Sequence, residues 1–119
     1  MLEDDVAAFL SGNVMMIAAT RDAALRPHVG RGCGAYFDPD VGDLTLLASA
    51  TQWPDFHANA TSGAPIAMTV CQPDNYKCLQ VKGQIIGVAA ATAEQTARAR
   101  RYIDTMLSIM AGLGVSRLQ

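Results

Sequence analysis

The sequence predicts a mainly β protein, a small antiparallel barrel with flanking helices. Short apolar or alternating runs recur at 14–20, 27–37, 44–49, 66–71 and 76–88, most of them separated by turn chemistry such as DPDVGD and QPDN. Connections this short pair neighbouring strands antiparallel. The chain of 119 residues makes one domain, 1–119. A sheet of this size covers both faces most simply by curling on itself.

The elements follow in order. LEDDVAAFLSG carries acids where a helix begins, places Leu2, Val6, Phe9 and Leu10 on one face, and meets Gly12 as a stop, which gives a short helix over 2–11. VMMIAAT reads as a buried strand, and 21–26 connects it to PHVGRGCGAYF. In that second strand Gly30, Gly32 and Gly34 alternate, a pattern of bulge or close backbone approach. LTLLAS resumes the extended pattern, and Pro54 suits the first turn of a short helix. IAMTVC and YKCLQVKGQIIGV are the last two strands, with a bend or bulge at Gly83. Thr92 and Gln95 have capping-box spacing ahead of a long helix from Ala93 to about 110, on which Glu94/Arg98 and Arg100/Asp104 are i,i+4 pairs. VSRLQ, 115–119, has the composition of another strand.

Composition narrows the function. Half of the residues are hydrophobic, as in ordered globular chains, and the net charge is −2. No strong positive field draws the chain to nucleic acid or to an anionic membrane. The start, MLEDD, lacks the basic segment of a secretory signal, and no apolar run reaches the ~18 residues of a membrane helix, so a cytoplasmic location is expected. Cys33, Cys71 and Cys78 are odd in number and form no CxxC pair, which reads as reduced thiols with neither a disulfide framework nor a metal site.

Few residues offer chemistry. Gly30-x-Gly32-x-Gly34 has the wrong spacing for a dinucleotide fingerprint. Arg31, between two of these glycines, is either a phosphate contact or a solvated charge. Cys33 needs a base beside it to act as a nucleophile, and the sequence brings neither His28 nor His57 to it. The best candidate is TQWPDFHANATSGAP, 51–65, with Ser49 just before it. Ser49, Thr51 and Gln52 follow directly on a strand, Trp53 leads into the short helix, and His57 lies on it. Hydroxyls and amides there suit a phosphate or a ring edge; the alternative is a connector with Trp53 and Phe56 packed beneath it.

These segments, LSGNVMMIAATRDAALRPHVGRGCGAYFDPDVGDLTLLAS and APIAMTVCQPDNYKCLQVKGQI, resemble the FMN-binding split barrel of the pyridoxamine 5'-phosphate oxidase-like superfamily over about residues 6–88. The pattern shared is an apolar strand ending in AT, a P-x-V start to the next strand and a Y-x-x-L-x-V-x-G strand. The resemblance implies a six-stranded antiparallel barrel that forms a homodimer, with FMN at the subunit interface, and a flavin-dependent oxidoreductase activity. It places Arg31, Ser49 and Thr51 in the phosphate region. Where many members carry Ser-x-Lys, this chain reads PDFH, with Asp55 and His57. His57 then stands as the substitute donor, and the candidate cofactor-binding set is Arg31, Ser49, Thr51, Gln52, Trp53 and His57. Two alternatives stay open: a binding or sensor protein of the same fold that has lost FMN, and a groove taking haem or a deazaflavin with His28 and His57 as contacts.

Overall fold

A computed structural model describes residues 3–113. Helix α1 (Asp4–Leu10) leads into strands β1 (Met15–Arg21), β2 (Pro27–Asp38) and β3 (Asp43–Ala48). Helix α2 (Pro54–Asn59) precedes β4 (Pro65–Cys71) and β5 (Cys78–Gln84), and helix α3 (Ala93–Gly112) follows. The strands form one five-stranded sheet in the order β3-β2-β1-β4-β5, antiparallel throughout. The architecture is thus the mainly β class with flanking helices, curled as a half-barrel.

Alternation along each strand makes the core. Met16 and Ala18 of β1 and Met68 and Val70 of β4 turn inward, and Leu10, Val14, Ala35 and Phe56 close the cluster. Leu10, Val14, Met16 and Val70 are the largest side chains wholly removed from water, each contributing ~1.5–3 kcal/mol by burial. The glycine pattern of β2 does both things expected of it. A Cβ on Gly32 would sit 2.5 Å from the Met16 sulfur, so β2 lies too close to β1 and β3 for any side chain there. The ladder to β3 then shifts between Gly32 and Ala35, a bulge at which Gly34 takes φ +142°.

Helix α3 begins on the full capping box: Thr92 accepts from the Gln95 N–H, and the Gln95 side chain accepts from Thr92 N–H. It holds to the sheet through three contacts. Gln95 donates to the Tyr36 hydroxyl at 2.8 Å, the Arg98 guanidinium lies 4.4 Å over the Tyr36 ring, and the Tyr102 hydroxyl donates to the Val14 carbonyl. Arg98 is therefore spent on an aromatic face, and neither i,i+4 pair of this helix closes as an ion pair among the described residues.

Three expectations need correction. The last strand ends at Gln84 rather than near 88, because beyond it only Ile85 and Ile86 bond to the 62–64 loop and no further ladder forms. The bulge expected at Gly83 does not form, because the register runs unbroken through Ile66↔Gly83. The sheet has five strands among the described residues, and the strand expected at 115–119 lies outside them. Cys71 and Cys78 are joined by a disulfide, against the reading of reduced thiols. The physical reason is register: β4 and β5 pair antiparallel, and Cys71 stands directly opposite Cys78.

Candidate functional site

The end of β3 and the turn into α2 form the candidate site. Ser49 builds the turn itself: its hydroxyl accepts from the Gln52 N–H at 3.2 Å, and its carbonyl accepts from the Trp53 N–H at 3.1 Å. Pro54 then opens α2 at a first-turn position, where a missing N–H costs nothing. Phe56 is 5% exposed and Trp53 packs against the same cluster. Gly30 makes this possible, since a Cβ on it would meet the Phe56 ring at 3.0 Å and the Trp53 Cβ at 3.1 Å. The buried Thr20 hydroxyl donates to the Phe56 carbonyl at 3.0 Å and ties α2 to β1.

The candidate residues divide into two groups. Gly32 pairs with Ala48, so the register sets Arg31 across from Ser49, one residue beyond β3, and Thr51 and Gln52 are exposed in the turn that follows. No carboxylate pairs with the Arg31 guanidinium among the described residues, and no protein group uses the Thr51 hydroxyl there. His57 and Asp55 are exposed on α2. Gly30 turns toward that helix and Arg31, one residue on, turns away from it, so β2 separates Arg31 from His57. Trp53 is half-buried against the core cluster, which leaves only part of it to a ligand.

No dyad involves Cys33. Its thiol donates to the Leu47 carbonyl at 3.4 Å, and burial pushes its pKa up, which keeps it protonated. His28 is five positions away on the same strand, about 16 Å at ~3.3 Å per residue. His28 instead lies 3.2 Å from Asp22.

That aspartate was invisible as more than a connector residue. Asp22 accepts from the Ala24 N–H, the Arg26 N–H, the Arg26 guanidinium and His28, and so organises the whole β1–β2 turn. These bonds hold its carboxyl well below the usual carboxylate range, the Arg26 N–H first and the His28 ring next, against a smaller opposing effect of burial. Leu25 in the same turn is held at φ +64° and is 69% exposed. The signal for the turn was Asp followed by Arg four residues later, which sequence alone does not distinguish from a solvated pair. Beside it, a cavity of about 360 Å³ is lined by Arg21, Asp22, Asn59, Thr61 and Pro65.

Among the described residues no group of His, Cys, Asp or Glu has the arrangement of a metal site. No helix among them is long and apolar enough to cross a membrane. The chain matches no protein-family model, no curated protein and no solved structure.

Proposed function

We propose that this protein is an FMN-binding split-barrel protein, a flavin-dependent oxidoreductase that works as a homodimer. The observation that carries the reading is the placement of Arg31 beside the Ser49–Gln52 turn. A guanidinium with no carboxylate partner among the described residues, a Thr51 hydroxyl that no protein group there uses and an exposed Gln52 amide are donors of the kind a phosphate monoester takes. Bound flavin would supply hydride or electron transfer, and the chain's part is to hold and orient it. Arg31 and the Thr51 hydroxyl would hold the phosphate, with the Gln52 amide as a further donor. Ser49 accepts the Gln52 N–H and so sets the turn, and its own O–H remains a donor for the phosphate. His57 is the weaker candidate, since β2 stands between it and Arg31.

A second copy has an apolar surface to meet. Ile17 and Val29 share the outer face of β1 and β2 and are 51% and 57% exposed. Burial of such a face is the usual basis of a stable dimer interface.

The test is an FMN titration of Arg31→Ala and His57→Ala beside the parent chain. Loss of the guanidinium removes a charged contact of ~1.5–3 kcal/mol, a roughly ten- to hundredfold weaker affinity. His57→Ala is expected to change affinity little. Unchanged FMN affinity in Arg31→Ala would remove the phosphate assignment. One observation favours the reading in which the fold has lost FMN: α2 begins PDFH, with Asp55 and no lysine, so the helix brings no lysine to a phosphate. A parent chain that dimerises but takes up no FMN would establish that alternative.

A further inference from the structure

We propose that the Cys71–Cys78 bond is a reversible redox clasp, opened and closed by exchange with a small monothiol such as glutathione, and that its state sets how the 72–77 turn docks on α1. The clasp works without bound flavin.

Position and access come first. Cys71 and Cys78 are the last directly opposed pair of the β4–β5 ladder, and six further pairs run from Val70↔Leu79 to Pro65↔Gln84. Those pairs keep the two sulfurs close after reduction, so closing the bond again is an intramolecular step. Cys78 is exposed, which lets an external thiolate reach it, whereas Cys71 is half-buried. The reduced state also has a place for its proton: the Cys78 sulfur lies 3.2 Å from the Tyr76 carbonyl, an acceptor only a thiol can use.

The exchange balances. A glutathione thiolate attacks the Cys78 sulfur, forming a mixed disulfide and releasing the Cys71 thiolate, which takes a proton from water. A second glutathione thiolate attacks the glutathione sulfur of that mixed disulfide and releases Cys78. The protein gains two electrons and two protons, and two glutathiones leave as their disulfide.

The bond closes a turn that touches the rest of the fold. Within it Tyr76 takes φ +57° and donates to the Gln72 carbonyl, while Gln72 N–H donates to the Lys77 carbonyl. The Lys77 ammonium lies 5.7 Å over the Phe9 ring of α1. Gln72, Pro73 and Asp74 form one wall of a cavity of about 370 Å³ whose other walls include Phe9, Val14 and Ile109. Opening the clasp lets a non-glycine residue leave the left-handed region and loosens that wall. Cys33 takes no part, being tied to the Leu47 carbonyl.

The experiment equilibrates the full chain in mixtures of reduced and oxidised glutathione. Alkylation with mass spectrometry reads the thiols, and hydrogen exchange reads the turn. Cys71 and Cys78 should pass together between blocked and alkylated as the ratio changes, and return on reoxidation. The Gln72, Tyr76 and Lys77 amides should exchange about tenfold faster in the dithiol state. Cys78→Ser should show the fast exchange at every ratio. A pair that resists excess reduced glutathione in the folded chain, or that never closes in excess oxidised glutathione, would overturn the proposal. So would equal exchange of the turn in both states.

Discussion

The two edges of the sheet end in opposite ways. At the β3 edge the chain turns on Ser49 and folds α2 back, so that Phe56 and Trp53 lie on the bare backbone of Gly30. At the β5 edge the chain runs on through 85–92, where Ile86 and Val88 stay 73% and 51% exposed. Both segments carry apolar side chains, so hydrophobicity alone does not decide which is buried. The β3 side has a seat, made by a missing side chain and by the Thr20 hydroxyl reaching the Phe56 carbonyl. The β5 edge presents none: Gln80 and Lys82 are exposed on it and Gly83 meets nothing within 4 Å. Polar and charged side chains of that kind keep an open edge from pairing with other chains.

Removing the buried aromatic should break the contrast most. Phe56→Ala empties the seat and is expected to cost ~3–5 kcal/mol in chemical denaturation. Ile86→Ala on the open side should stay within ~0.5 kcal/mol. A comparable loss at both positions would mean that 85–92 is packed.

Glycines sharpen the same contrast at a smaller scale. Gly32→Ala forces a methyl into the Met16 side chain and should cost ~1–3 kcal/mol. Gly83→Ala meets open space and is expected to leave stability unchanged or raise it by up to ~1 kcal/mol. Denaturant midpoints of the two variants should therefore move in different directions or by clearly different amounts.

Helix α3, which brings the chain back from the β5 edge, adds a pH-dependent contribution through Tyr102. Burial pushes its phenol up to about 12 from an ordinary 10.0, with Arg31 opposing and Cys33 adding slightly. The folded state thus favours the neutral phenol that donates to Val14. Its contribution is complete below pH 10 and is lost as pH rises from 10 toward 12. Tyr102→Phe should flatten that part of the alkaline limb in a series of denaturation curves.

The smallest effect is expected at the β1–β2 turn. Leu25→Gly relieves a left-handed conformation worth ~1–2 kcal/mol but frees the unfolded chain, for a net gain below ~1 kcal/mol in thermal or denaturant unfolding.

Much of this fold was legible because local signals agree with it. The acids in the first turn of α1, Pro54 and the Thr92/Gln95 box each mark a helix start with a stated chemistry, and each lies at a helix start in the structure. The alternating glycines signalled a bulge or a close approach, and the structure has both. What stayed hidden depends on register or on tertiary partners. Spacing seven apart does not pair Cys71 with Cys78; only the position of the 72–77 turn does. Asp22 looked like any turn carboxylate until His28 arrived across the turn. Arg98 faced Glu94 on a helical wheel, but Tyr36 across the fold offered the better surface. Within the candidate site, only the family resemblance put Arg31 and Ser49 in one region, since the register across the β2 bulge is set by pairing with β3, and the separation of Arg31 from His57 required knowing which face of β2 carries α2.

The most direct test of the central claim is a fluorescence titration of the purified parent chain with FMN, paired with its visible absorption spectrum. Saturable quenching of flavin fluorescence, one FMN per chain, and a flavin band that shifts on binding are expected. Flavin fluorescence that stays unquenched across the titration, with a spectrum identical to free FMN, would contradict it.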